Sequence, residues 1–390
     1  MSNLEVADIF RDFGEAWRQQ NAGRISCGQL KVMTAIERCR TAELGGHVLE
    51  CQGCGGQQIA YNSCRDRHCP KCQGSAAHRW IQARQSELLP VEYFHVVFTL
   101  PSRIRDIAYQ NKEVIYNLLF KAASQTLLTI GKDPKHLGAK LGITAVLHTW
   151  GSALTHHPHV HCIVTGGGLS KNKKKWIACR QGFFLPVKVL SRLYRRLFLE
   201  QLERAHLEGQ LNFYGKYCAL EEHEDFMRYL NSCRSIDWVV YAKRPFAGPQ
   251  PVLRYLSNYT HRVAIANSRL IRMDQNCVTF KWKDYREKGE KRFKQMTIQT
   301  GEFIRRFLLH VLPPGFHRIR HYGILSNKVR KEEITLARTI LHDDLSQLDE
   351  SDQNDDQVVY RCRECGEPMN IIGELKHSSE ARAPPQGVAA

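Results

Sequence analysis

Two cysteine pairs, Cys51-Gln52-Gly53-Cys54 and Cys69-Pro70-Lys71-Cys72, stand 14 residues apart in a stretch that burial alone cannot hold together. Residues 47 to 79 are dense in Cys, Gly, His and Arg and poor in aliphatic side chains, which excludes an ordinary hydrophobic core there. Each CxxC can bend two thiolates onto one ion, and two of them complete the tetrahedral set of a closed structural zinc site. The spacing therefore predicts one structural zinc held by Cys51, Cys54, Cys69 and Cys72, with Cys64 and His68 as spare donors. Four thiolates leave no open position, so this metal organises a fold and does no chemistry. Four independent buried cysteines would be a poor account of that spacing. Arg65 and Arg67, with Lys71 and Arg79, would be displayed on the rigid knob and suit phosphate.

Composition narrows the setting. The 390 residues carry 56 Lys and Arg against 39 Asp and Glu, a formal charge of +17 that invites a polyanion, with DNA as the leading partner. Fourteen cysteines favour metal over disulfides if the chain stays in a reducing compartment. No run of about 18 apolar residues occurs, and Met1-Ser2-Asn3-Leu4-Glu5 lacks the basic then apolar order of a signal peptide, so the expectation is a cytoplasmic protein with no membrane partner. A second chemistry-bearing motif is His157-Pro158-His159-Val160-His161, which runs into apolar Cys162-Ile163-Val164. Side chains two apart leave a strand by the same face, so His159 and His161 would point together at one metal ion. An isolated His-x-His is more often packed or hydrogen-bonded, but His148, His156 and His157 lie close by. Two imidazoles leave positions open on a divalent ion, as a Lewis acid needs, and Mn²⁺ or Mg²⁺ suits the purpose. The third ligand is not readable; His95 and His157 are candidates.

The third motif is Tyr255-Leu256-Ser257-Asn258-Tyr259-Thr260-His261-Arg262. A spacing of four on a helix puts both phenols on one face. Taken alone they read as two amphipathic tyrosines at the edge of a core. Beside an open metal site in a basic chain, with Arg254 and Arg262 flanking, they become candidate nucleophiles. A phenol attacking a phosphodiester would leave a phosphotyrosine ester that keeps the bond energy, so rejoining needs no ATP. The sequence holds no GxxxxGK[ST] loop.

The pattern of elements predicts an α+β fold with a mostly antiparallel central sheet flanked by helices. Helical spacing covers residues 1 to 44, a buried strand Tyr93 to Leu100, and one long helix runs from Ile107 through Leu127. Strands are expected at 143 to 150 and at 159 to 165, the second closing on Gly166-Gly167-Gly168. Helices follow at 187 to 207, 222 to 233, 252 to 262 and 301 to 312, and strands at 237 to 242, 278 to 282 and 295 to 299. The run Lys171 to Lys175 reads as a solvated hairpin loop. Residues 343 to 356 carry seven acids and no Lys or Arg, a flexible linker. Cys362 and Cys365 beyond it offer only two thiolates and need partners from elsewhere in the chain or from a second chain. The expected division is 1–90 (helical lead-in and zinc-binding domain), 91–330 (catalytic domain), 331–358 (acidic linker) and 359–390 (a CxxC knuckle and disordered tail). Pro313 to Tyr322 mixes basic Arg318 and Arg320 with Phe316 and Tyr322, which suits stacking on unpaired bases as well as plain packing.

With these residues quoted, the chain resembles the rolling-circle insertion-sequence transposases of the HUH endonuclease superfamily, in the group with an N-terminal zinc-binding domain. The resemblance spans about 47 to 325 and rests on the knuckles with Asn62 to Pro70, Phe98 to Pro101, Thr149 to Gly168, Tyr255 to Leu270 and Glu302 to Tyr322. It implies an HUH-like sheet, a catalytic ion on His159 and His161, and attack by Tyr259, Tyr255 or both on single-stranded or hairpin DNA, leaving a 5′-phosphotyrosine. Rival readings are a plasmid relaxase or replication initiator with the same chemistry, and a zinc-dependent DNA-binding protein that does not cut.

Overall fold

The computed structural model of the chain describes residues 4–85, 87–182, 184–243, 262–342 and 360–377. The first two helices are α1 (Val6–Gln20) and α2 (Cys27–Arg38). Ser26 accepts a hydrogen bond from the Gln29 amide while the Gln29 side chain accepts from the Ser26 amide, a reciprocal cap that fixes where α2 begins. A hairpin follows, β1 (Gly46–Cys51) and β2 (Gln57–Tyr61), then helix α3 (Gln73–Gln85).

The central sheet is built from β3 (Tyr93–Thr99), β4 (Ala139–Trp150), β5 (His156–Ser170), β6 (Trp176–Ala178), β7 (Val240–Ala242) and β11 (Ile319–Gly323). Its order is β11-β4-β5-β3-β7, with β6 beside the far end of β5, and every pairing is antiparallel. Alternation sends Val96, Phe98, Ile143, Ala145, Leu147, Val160 and Cys162 to one face. There they pack on α5 (Lys112–Lys132), α6 (Val187–Leu207) and α7 (His223–Arg234), through Tyr116, Phe120, Tyr194, Phe198 and Phe226. Each large side chain fully buried in this way contributes about 1.5–3 kcal/mol. The opposite face carries the histidines.

Between these elements the long helix expected from Ile107 to Leu127 is broken into α4 (Arg105–Gln110) and α5. The cause is Asn111, whose side-chain amide donates to the carbonyls of Ile107 and Asn212 and accepts from the Asn212 amide, competing with helical bonds. β5 does not close on its glycines but runs through them to Ser170. A Cβ on Gly168 would lie 2.2 Å from the Lys140 carbonyl oxygen and one on Gly166 would lie 2.7 Å from that of Glu92, so glycine here admits close neighbours on both sides.

A second core joins α1 and α2 to the sheet β8 (Leu270–Met273), β9 (Cys277–Lys283), β10 (Phe293–Gln299) and to helix α8 (Thr300–Leu308). Phe10 meets Phe307 edge-on at 5.3 Å, the Trp17 indole donates to the Gly301 carbonyl at 3.0 Å, and Gln29 donates to the Leu308 carbonyl at 3.1 Å. Packing therefore does not break at the expected boundary near residue 90. The C-terminal strands β12 (Tyr360–Arg361) and β13 (Pro368–Leu375) likewise do not stand apart: the order β12-β13-β1-β2 places them in the sheet of the N-terminal hairpin. The acidic stretch 343–359, the tail from 378, and 252–261 of the expected helix lie outside the described residues.

The lysine run does turn a hairpin, from β5 to β6, and it also anchors helix α9 (Arg330–Leu341). Buried Glu333 receives Lys140 Nζ at 2.6 Å and Lys173 Nζ at 2.9 Å. Burial pushes its carboxyl up, but the two ammonium groups outweigh burial and hold it below the ordinary range. A lowered folded pKa adds stability that is present above the unfolded value, about 4.3, and is lost as pH falls. Glu333→Gln should therefore cost about 1–3 kcal/mol in urea unfolding at neutral pH, a gap that closes below about pH 4.

Candidate metal centres and nucleic-acid interface

The four cysteines expected in one zinc site divide between two. Cys69 and Cys72 meet Cys39, at the end of α2, and Cys64; Cys51 and Cys54 meet Cys362 and Cys365. In each set all four sulfurs lie within 4.8 Å of one another. A tetrahedron with Zn–S bonds of about 2.3 Å has edges of about 3.8 Å, so these donor sets fit zinc. The reason for the division is geometric: β1 and β2 carry the first knuckle away along a hairpin, while the chain after β2 returns to the end of α2, where the Arg40 amide donates to the Asn62 carbonyl at 3.0 Å.

In the first set Cys39 Sγ and Cys64 Sγ stand 3.5 and 3.6 Å from Cys72 Sγ. Hydrogen bonds from Cys39, Cys64 and Cys69 hold Cys72 well below the ordinary thiol range, and Cys39 is drawn down to about 7 by Cys64 and Cys69. Hydrogen bonding with Cys39 pushes Cys64 and Cys69 the other way, up, so the four sulfurs share their protons unequally until a metal displaces them. Of the two spare donors, Cys64 joins the set and His68 does not. Its Nδ1 is 3.0 Å from Asp66 Oδ1 and its Nε2 accepts from the Leu312 amide, so both ring nitrogens are committed to protein.

On the central sheet, His159 and His161 share a face, and β4 adds His148 directly opposite His159. The ligand nitrogens of the three lie within 4.8 Å of one another. Cross-strand register makes this trio. His148 pairs with His159 in the same unbroken ladder that pairs Val146 with His161, which puts all three imidazoles on one face, and the register shifts only beyond His148, where Trp150 pairs with His156. The rings are pre-oriented: His159 Nδ1–H donates to the His157 carbonyl at 2.6 Å, which leaves Nε2 for a ligand. His161 Nδ1 and His95 Nε2 are 2.8 Å apart, so His95 supports His161 from β3. Burial pulls His159 down to about 4 and His95 to about 3, and holds His161 well below the ordinary imidazole range, helped by His148, His159, His95 and the Arg262 cation. All are neutral at physiological pH, the state in which imidazole coordinates. His157 contributes its carbonyl and His95 a supporting hydrogen bond, so the ligand that sequence left unnamed is best filled by His148.

Tyr255, Tyr259 and Arg254 lie outside the described residues. Exposed Arg262 stands close enough to depress His159 and His161. The other arginines divide by role. Arg65 is exposed in a left-handed conformation (φ 53°) next to Cys64 and keeps its side chain outward. Arg67, by contrast, spends its fork on the carbonyls of Phe316 and Pro313. Arg318 donates to Gln73 and to the Arg262 carbonyl, and burial lowers it to about 10. Arg320 donates to Asn117 at 2.6 Å and lies over the rings of Phe120 and Phe316. With Phe316 buried and 319–323 paired to β4, this segment is packing rather than an open stacking platform. Sequence pattern could not show this, because all of these partners except Phe316 beneath Arg320 are remote in the chain.

A sheet presenting a histidine trio, joined to a cysteine-rich module, defines a metal-binding α+β protein. Comparison with known proteins says which. Residues 142–333 match the family model described as "Putative transposase", and residues 9–100 match "Transposase zinc-binding domain". The chain is 58% identical over 340 residues to "Putative transposase y4qJ" of Sinorhizobium fredii, covering 87% of this chain and 85% of that one. It is 26% identical over 308 residues to the transposase for insertion sequence element IS801 of Pseudomonas savastanoi pv. phaseolicola, covering 77% and 71% of the two. The conjugative relaxase TrwC, solved metal-free in complex with oriT DNA, overlaps 58% of this chain and 94% of its own at 12% identity and a TM-score of 0.25. The chain belongs to this family of insertion-sequence transposases with an N-terminal zinc-binding domain. Among the described residues no helix is long and apolar enough to cross a membrane.

Proposed function

We propose that this transposase is a metal-dependent single-strand DNA endonuclease and strand transferase of the HUH type, acting in rolling-circle transposition. The observation that carries the reading is the convergence of His148, His159 and His161 on one face of the central sheet, with the rings of His159 and His161 held by hydrogen bonds. Three neutral imidazoles bind a divalent ion while leaving room for phosphate oxygens, and a bound Mg²⁺ or Mn²⁺ would polarise the scissile phosphoryl group. Arg262 adds positive charge beside the trio, and the net charge of +17 favours DNA at every step of approach.

The nucleophile assigned to this site is Tyr259, with Tyr255 as its partner or substitute. The phenol oxygen bonds to phosphorus, the bond from phosphorus to the 3′ oxygen breaks, and that oxygen takes a proton to become a free 3′-hydroxyl. The number of phosphodiester bonds is conserved, so the reverse step with another 3′-hydroxyl transfers the strand. Exposed Arg65 and the basic surface are assigned to the ends of the element, bound as single strands or hairpins.

Incubation of the purified protein with end-derived single-stranded DNA and Mn²⁺ tests this reading. A covalent protein–DNA adduct is expected, lost in Tyr259→Phe or in Tyr255→Phe/Tyr259→Phe. Tyr241 serves as a stringent control, since it pairs with Val97 and so shares the histidine face while lying exposed on the edge strand. Tyr241→Phe should keep the adduct. Tight binding without an adduct under either metal would leave a DNA-binding protein that does not cut, and an adduct lost only in Tyr241→Phe would move the nucleophile.

A further inference from the structure

The second cysteine set is built from opposite ends of the chain. Cys51 and Cys54 belong to the segment matched by the zinc-binding family, whereas Cys362 and Cys365 lie beyond both matched regions, 9–100 and 142–333. The two knuckles have the same backbone. The Cys51 amide donates to the Gly56 carbonyl at 3.0 Å and the Gly55 amide to the Cys51 carbonyl at 3.1 Å; the Cys362 amide donates to the Glu367 carbonyl at 2.9 Å and the Gly366 amide to the Cys362 carbonyl at 3.0 Å. Gly55 and Gly366 both take a left-handed conformation, φ 73° and 79°, which returns each turn to its strand. Two matching turns thus face each other with Cys51 Sγ 3.3 Å from Cys365 Sγ and Cys54 Sγ 3.7 Å from Cys362 Sγ. These separations are close to the edges of a zinc–tetrathiolate tetrahedron, about 3.8 Å.

We propose that this chain binds two structural zinc ions, and that the second is a clasp that fastens the C-terminal segment 360–377 to the N-terminal zinc-binding module. Little else holds the segment there. Among the described residues the apolar cluster between the segment and the hairpin is small: Cys362 and Met369 meet Leu49 and Cys51, with Ala60 and Tyr360 half-covered beside them. Main-chain pairing of β13 with β1 adds direction, and it makes β1 an interior strand rather than an edge. On binding, four thiols give up four protons and four Zn–S bonds form, with no redox change. The clasp is also the more open of the two sites: Cys54 and Cys365 are exposed, while Cys39, Cys69 and Cys72 are buried. A chelator should therefore empty it first.

Two measurements on the full-length protein decide the matter. Elemental analysis should find two zinc ions per chain in the wild type and one in Cys362→Ser/Cys365→Ser. In the wild type itself, withdrawal of a single equivalent of zinc with a chromogenic chelator, followed by alkylation and peptide mapping, should label Cys51, Cys54, Cys362 and Cys365 as a set while Cys39, Cys64, Cys69 and Cys72 stay protected. One zinc in the wild type, two in the double variant, or Cys362 and Cys365 labelled in loaded protein while Cys51 and Cys54 resist, each overturns the clasp. Because the labelling uses unaltered protein, a double variant that fails to fold does not blur the result. DNA cleavage enters neither readout, so the outcome is independent of the proposed catalytic chemistry.

Discussion

His161→Ala is expected to lower metal-supported formation of the protein–DNA adduct by about a thousandfold or more, because removal of a metal's electrophilic contribution costs several kcal/mol of barrier. His161 sits at the centre of the trio, its ring centroid 4.4 Å from that of His148 and 4.8 Å from that of His159. It is also the member that His95 supports. The neighbours should show a graded series. His148→Ala, on the adjacent strand, should weaken metal binding and be partly rescued by raised Mn²⁺. His95→Ala leaves all three candidate ligands in place but removes one hydrogen bond from the ring of His161, and a loss of about 10–100-fold in metal affinity is the expected scale. Titration of Mn²⁺ against adduct yield separates these cases, with circular dichroism as a check that each variant folds. Wild-type cleavage by His161→Ala at low metal would remove the trio from the mechanism.

How far this site could be read in advance depended on distance along the chain. His159 and His161 needed only the two-residue period of a strand, and the bounds of α6, 187–207, needed only an apolar stripe. His148 was visible as a residue but not as a ligand, since its place opposite His159 depends on the register between β4 and β5, which no periodicity within one strand reports. The cysteines failed for a related reason. Spacing shows that a CxxC pair will share an ion but not which other pair completes it, and the partners of Cys51 and Cys54 lie some three hundred residues away. Seven cysteines between Cys27 and Cys72 and a further CxxC near the C-terminus were the available sign that one site was too few. Arg67, Arg318 and Arg320 look from composition like phosphate contacts, yet their partners are carbonyls, two side-chain amides and two rings.

Loss of the first zinc should be structurally the most damaging change of all. Cys39, Cys69 and Cys72 are buried in the same core as Val32, Ile36, Phe10, Phe303 and Phe307, so an ion held by them would lie inside the packing that joins α1 and α2 to the β8–β10 sheet. Structural zinc in small modules contributes an apparent 10–16 kcal/mol or so, comparable with the whole stability of a domain, about 5–15 kcal/mol. Cys69→Ala leaves three sulfurs and a hole at a fully buried position, and neither the sparse aliphatics of 47–79 nor a water can make good the loss. The expected result is collapse of hydrogen-exchange protection across α1, α2 and α8, because all three share the core that contains these cysteines, while the histidine-bearing sheet retains its own protection through the separate core on α5 and α6. Cys362→Ser/Cys365→Ser should do the opposite, releasing β13 and loosening β1 without disturbing α1 or α8. Should Cys69→Ala keep native protection in α1 and α8, zinc would not be what holds this module, and hydrophobic packing between the N-terminal helices and α8 would have to suffice alone.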